Sequence, residues 1–311
     1  MNRLPTVITT SVVRSAHQGE SHGGIYLVDL ESGEASRKVD WNTCDIDWQG
    51  RGGDRGLRGI AFHDNDLYIA ASDEIIVFDS SFKRKRSLRN NYLRHCHEIT
   101  VHQDRLFISS TGFDSVLEYD IRASRFVKGY CARIAESGGF SVTAFDPGST
   151  DGPAFGDSLH LNSVTVDSTG LHIAGHQLPF IIHIDASGVY RYGRLPAGTH
   201  NARPFVEGLL YNHTAVNSIY MTQRDGSPIK SFPIHTYNAG ELINNDLPDD
   251  HARQGFGRGL CIINNGEFIA GGASPSTVSV YSMASGEVIK RINLTMDVRH
   301  AIHGLEVWPY S

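Results

Sequence analysis

Three histidines, His97, His200 and His303, each head a short run of strand-forming character: His97-Glu-Ile-Thr-Val, His200-Asn-Ala-Arg-Pro and His303-Gly-Leu-Glu-Val. Imidazole is a ligand for first-row transition ions, and three imidazoles with open positions opposite them are what a catalytic metal requires. The same leading position recurs in Arg58-Gly-Ile-Ala-Phe, Asn162-Ser-Val-Thr-Val and Arg258-Gly-Leu-Cys-Ile, so the six leaders alternate as Arg, His, Asn, His, Arg, His. His97, His200 and His303 are therefore the expected metal ligands. Zn²⁺ suits three nitrogens and a water; Mn²⁺, Fe²⁺, Co²⁺, Ni²⁺ and Cu²⁺ share the ligand type. Arg58 and Arg258 beside a divalent ion concentrate positive charge, which a carboxylate, phosphate or sulfonate on a substrate would offset. Asn162 is placed to donate to a developing oxyanion or to orient a water.

Around these leaders stand further candidates. The stretch Ser15-Ala-His17-Gln-Gly-Glu20-Ser-His22 offers Glu20 as a general base, with His17 or His22 as alternatives. His95 and His160 each lie two residues before a leader, which puts them on the same face of an extended strand, where they could contact substrate or orient ligands. Each of these residues also has a structural reading. A polar residue at the start of an inner strand can bind water or cap a backbone group, and Arg58 or Arg258 can pair with Asp54 or Asp73.

The elements that must position them form a repeat. In the first four runs a leucine follows the leader nine positions later (Leu67, Leu106, Leu171, Leu209); in the fifth the position is Glu267, followed by Phe268. Turn-forming residues separate the two strands, as in Asp64-Asn65-Asp66 and Ser168-Thr169-Gly170, and suit tight hairpins. Third strands begin at Ile75, Val116, Ile181, Ile219 and Val278, and a fourth, more polar strand follows. Four short antiparallel strands repeated radially describe an all-β six-bladed β-propeller over residues 1–311 as a single domain. The run from His303 reaches the C-terminus without a partner, while Thr6-Val-Ile-Thr-Thr, Gly24-Ile-Tyr-Leu-Val and Ala35-Ser-Arg-Lys-Val supply three strands at the other end. A closing blade shared by both ends is expected, which removes loose edges. Long connections fall at residues 42–57, 132–158 and 236–256; residues 132–158, rich in Gly, Ser, Pro and Asp, are the lid candidate.

Composition narrows the function classes. At 40% hydrophobic and 20% charged the chain is globular rather than disordered. A net charge of −6 gives no reason to expect nucleic acid. Lys83-Arg84-Lys85-Arg86 reads as a solvated outer edge between strands. No run is long enough for a membrane span or a signal peptide, and the four cysteines (Cys44, Cys96, Cys131, Cys261) show no Cys-x-x-Cys spacing, so a cytoplasmic protein with reduced thiols is expected.

The blade pattern resembles six-bladed propellers of the NHL and strictosidine-synthase-like kind. The ring of leaders is similar in arrangement to the peptidyl-amidoglycolate lyase domain, in which three channel histidines hold a catalytic zinc near an arginine. That resemblance implies His97, His200 and His303 as ligands and Arg58 or Arg258 as the partner of a substrate carboxylate. The expected activity is metal-dependent lyase or hydrolase chemistry on a small anionic substrate at the channel mouth. Oxygen-dependent chemistry on Fe or Cu ranks after it. A non-enzymatic propeller binding a protein partner or a small anionic ligand is the reading from another class. Oligomeric state is left open.

Overall fold

The hydrophobic alternation resolves into twenty-five strands in a computed structural model, which describes residues 3–48 and 54–310. They form six antiparallel sheets. In chain order the first five are built from Ile60–His63 to Arg84–Arg89, Cys96–His102 to Phe140–Phe145, Leu161–Asp167 to Gly188–Arg194, Thr199–Phe205 to Pro228–Pro233, and Leu260–Ile263 to Val288–Asn293. The sixth joins the two ends of the chain: Thr6–Val13 lies between the C-terminal strand His300–Val307 and Gly23–Asp29, with Ala35–Trp41 outermost. The fold is all-β, a six-bladed β-propeller with a shared closing blade, as expected from the repeat.

Burial falls from the second strand of a blade to the fourth. Leu67 to Ala70 and Leu106 to Ser110 are buried at every position, whereas Ala35–Trp41 and Arg84–Arg89 are largely exposed. A strand covered on both faces reads as a continuous apolar run, and an outer strand as an alternating or polar one. Tyr68, Ile75, Val77, Leu106, Ile108 and Leu117 pack together between the first and second sheets. Phe107, Val116, Leu161, Ile173 and Ile182 do so between the second and third. Val7, Val28, Ile263, Val278, Ile302 and Leu305 fill the space between the fifth sheet and the closing one. Truncating one of these fully buried leucines or isoleucines to Ala costs about 2–5 kcal/mol.

Chain contacts divide the molecule into two compact units: residues 1–60, 212–220 and 230–311, and residues 61–211 and 221–229. They are called here the terminal unit and the middle unit.

Three expectations are corrected. The basic cluster does not lie between strands: Arg84 to Arg86 belong to the outermost strand of the first sheet, where Lys85 and Arg86 pair with Asp66 and Arg84 with Glu74. Residues 132–158 are not an open lid. Arg125–Ile134 and Phe140–Phe145 form a hairpin that adds a fifth strand to the second sheet, its register running from Gly129↔Phe145 to Ile134↔Phe140. The rest is pinned to Tyr92, whose hydroxyl donates to Ser149 O at 2.9 Å and accepts from Gly152 N at 2.8 Å. Arg58 and Arg258 precede their strands by two residues, which start at Ile60 and Leu260. Of the connection 42–57, residues 49–53 lie outside the described residues.

Candidate functional site

The leaders owe their special placement to irregular pairing. The register against the second strand slips between Cys96 and Ile99, between Leu161 and Ser163, and between Ile302 and Leu305, so His97, Asn162 and His303 each sit in a β-bulge. A bulge carries an extra residue unpaired and re-aims its side chain. The residue two places earlier is left-handed in four blades: Gly56 (φ 80°), His95 (51°), His160 (52°) and Gly198 (85°). His95 and His160 are thus not on a continuous extended strand with His97 and Asn162, and the face-sharing argument from sequence does not hold for them.

The middle unit nevertheless gathers four imidazoles. Ring centroids are 5.2 Å apart for His97–His160, 6.5 Å for His97–His200, 6.4 Å for His160–His200, 5.5 Å for His176–His200 and 5.8 Å for His160–His176. His97 and His200 are buried. Their surroundings fix proton positions. His97 Nδ1 is 2.8 Å from His95 O and 2.8 Å from Thr111 Oγ1, and the Thr111 hydroxyl donates its own proton to Leu161 O at 2.6 Å. A carbonyl can only accept, so His97 carries its proton on Nδ1 and the lone pair on Nε2. His160 Nδ1 lies 3.0 and 3.1 Å from the two oxygens of Asp157, a carboxylate–histidine pair of the same polarity. His176 is opposite: its Nδ1 accepts from the Gln177 side-chain amide at 3.1 Å, leaving the proton on Nε2.

Neighbouring residues hold this cluster in place. Asn162 is buried; its Nδ2 donates to Thr199 O at 3.0 Å, and its Oδ1 accepts from Ser163 Oγ, which in turn accepts from Ala202 N at 3.1 Å. The pair clamps the backbone on either side of His200, so Asn162 positions a histidine through its strand. Asp114 Oδ2 accepts from the N–H groups of Ser158 and Leu159 at 2.7 and 3.0 Å, tethering the segment that bears Asp157 and His160. Burial pushes the Asp114 carboxyl up from its ordinary value, against the pull of those N–H groups. His95 contributes its carbonyl to His97, while its ring meets Phe155 edge-on at 6.5 Å.

The remaining candidates stand in the terminal unit. His303 is buried, and its Nε2 accepts from the Arg258 guanidinium at 2.5 Å, so that lone pair is already engaged. Arg58 is buried, and its carbonyl accepts from the Thr10 hydroxyl. Asp73, offered as an arginine partner, lies in the middle unit 3.6 Å from Arg89. Glu20 is exposed and accepts from His17 N at 2.9 Å, closing the turn in which both lie. His22 is fully buried: Nδ1 accepts from Gly56 N at 2.8 Å and Nε2 donates to Thr43 O at 3.0 Å. Burial keeps it neutral by drawing its pKa down. His22 is thereby a structural residue.

Among the described residues no group of three or more His, Cys, Asp or Glu side chains already stands in a metal-holding arrangement. Metal–nitrogen bonds of about 2.1 Å set the ring centroids around a tetrahedral ion roughly 5 Å apart. His97 and His160 are at that spacing, and His200 is about 1 Å farther from each. The donor set fits a transition ion if His200 moves inward. Thr111 and Asp157 were missed from sequence: neither has a motif, and only the fold brings them to His97 and His160.

No family model matches the chain, and no curated protein matches its sequence. Solved structures match its fold. The crystal structure of a nidogen/laminin complex aligns over 98% of this chain and 100% of that chain, at 10% identity and a TM-score of 0.61. A protein of unknown function from Bacteroides caccae aligns over 97% and 98%, at 9% identity and a TM-score of 0.58. A streptogramin B lyase structure aligns over 77% and 69%, at 14% identity and a TM-score of 0.46, too low to bear on function. These likenesses concern the fold alone.

Proposed function

We propose that the histidine cluster of the middle unit binds a divalent transition metal, Zn²⁺ before Fe²⁺, Mn²⁺ or Cu²⁺, and that the protein is a metal-dependent lyase or hydrolase acting on a small anionic molecule. The observation that carries the reading is the fixed tautomer of two adjacent imidazoles, 5.2 Å apart. His97 and His160 both commit Nδ1–H to an acceptor, which leaves Nε2 as the basic nitrogen of each. His200 is the third ligand, held by the Asn162–Ser163 clamp. In this reading His160 takes the place that sequence gave to His303, whose Nε2 is engaged by Arg258.

When bound, the ion would polarise a substrate oxygen or activate a water. The chain's own residues then divide the remaining work. Asp157 holds the His160 ring in one orientation through Nδ1. His176, with its proton on Nε2, can donate to a developing negative charge. Neutral imidazoles leave the charge of a divalent ion uncompensated, which favours an anionic substrate.

The test is elemental analysis of the untagged protein after reconstitution with Zn²⁺, Mn²⁺, Fe²⁺ and Cu²⁺ in turn. The reading predicts about one equivalent of metal in the wild type and none in a folded His97→Ala/His200→Ala variant. Absence of metal from the wild type with every ion would overturn it.

A further inference from the structure

The outer edge strand of a sheet exposes a row of backbone N–H and C=O groups. Charge, proline and β-bulges keep such an edge from pairing with another chain. Five of the six sheets carry these devices. Ala35–Trp41, Arg84–Arg89, Gly188–Arg194 and Val288–Asn293 each bear lysine or arginine, and each is bulged where it pairs with the third strand of its sheet. Pro228–Pro233 has a proline at either end and Lys230 between them.

The second sheet is the exception. Its outer edge is Phe140–Phe145, Phe-Ser-Val-Thr-Ala-Phe, with neither charge nor proline. It pairs with Arg125–Ile134 in unbroken register from Gly129↔Phe145 to Ile134↔Phe140. Ala132 N donates to Asp114 O at 2.9 Å, on the side away from this edge. Ala132 and Val142 are therefore a non-hydrogen-bonded pair, and Val142 turns its own N–H and C=O to the open side. By the alternation of an antiparallel ladder, Phe140 and Ala144 do the same. The edge is held firmly at both ends. The Phe140 ring lies 5.0 Å from Phe180, with the Arg191 guanidinium over both rings and donating to Gly138 O at 2.8 Å; the Phe145 ring lies 5.0 Å from Tyr92.

We infer that Phe140–Phe145 is a self-association surface, on which the same strand of a second copy of this chain pairs antiparallel. Charge selects the occupant: an uncharged edge favours an uncharged strand, and among the outer edge strands of this chain Phe140–Phe145 alone is uncharged. Two copies related by a two-fold axis would join their five-stranded sheets into one. Each copy uses up its one unprotected edge, so association stops at a dimer. The contact is short, and the dimer is accordingly weak and concentration-dependent. This surface needs neither a metal nor an enzymatic activity.

Sedimentation velocity of the full chain from micromolar to millimolar concentration tests it. The expected result is a monomer–dimer equilibrium, with amide exchange at Phe140, Val142 and Ala144 slowing as the dimer forms. Ala144→Pro removes an N–H that the sheet itself does not use, and should raise the dimer dissociation constant about tenfold or more. Thr143→Lys, at an exposed side chain, sets like charges across the pairing and should weaken it likewise. Circular dichroism checks that both variants fold. A capped peptide of the sequence Phe-Ser-Val-Thr-Ala-Phe should compete with dimer formation. A wild type that stays monomeric throughout, or a dimer undiminished in both folded variants, would overturn the inference. Binding of the peptide to a protein that never dimerises would make an extended peptide the occupant, and would overturn self-association equally.

Discussion

The middle unit holds two groups of histidines that differ in what takes their protons. In the cluster of His97, His160 and His200, carbonyl, hydroxyl and carboxylate acceptors take the Nδ1 protons of two rings and turn their basic nitrogens outward from those partners. In the outer pair, His172 Nε2 and His183 Nδ1 bond to each other at 2.8 Å, and His183 Nε2 faces Asp185 Oδ2 at 3.3 Å. Tyr192 packs edge-on against His172 at 4.9 Å, and the Arg224 guanidinium lies over the Tyr192 ring, 4.3 Å from its centroid. The outer pair closes on itself. Residue type is the same in both groups; the partner of the second nitrogen separates the proposed ligand set from a pair bonded to each other.

The largest effect that can break this contrast is metal retention. A His97→Ala/His200→Ala variant should lose its bound metal, whereas His172→Asn/His183→Asn should retain the full equivalent; mass spectrometry of the reconstituted proteins reads both. Asp157→Asn should lower metal affinity about 10–100-fold by weakening the hold on His160, measured by competition with a chelator. Thr111→Val should cost only a few-fold, because His95 O still accepts the His97 proton.

The smallest effect concerns the outer pair and pH. Burial first, then the charges of His183 and Arg224, draw the His172 pKa down to about 4 from 6.5, with Asp167 opposing. Native protein therefore holds His172 neutral while the unfolded chain binds a proton below about pH 6.5. The stability due to neutral His172 is fully present above pH 6.5 and is lost as pH falls towards 4. The thermal midpoint should decline across that window, and the decline should be shallower in His172→Phe.

The fold was legible because its signal is repeated. Leu67, Leu106, Leu171 and Leu209 recur at one spacing, and the closing blade followed from strands left over at the two ends. Phe140-Ser-Val-Thr-Ala-Phe145 alternates with period two and was legible as a strand, yet the surrounding Gly and Pro masked it. The site was legible only in part. His97 and His200 stood out by repeat position. The role proposed for His160 depends on its left-handed backbone and on Asp157, three positions earlier, neither of which periodicity reports. Glu20 looked like a base by type, but closes its own turn.

The account rests on His160 being a ligand beside His97 and His200. Metal titration of His160→Ala and His303→Ala, each checked for folding by circular dichroism, tests this directly. The account predicts that His160→Ala loses tight binding while His303→Ala keeps it. Loss in His303→Ala with retention in His160→Ala would contradict it and return the ligand set to the three histidines that lead their strands.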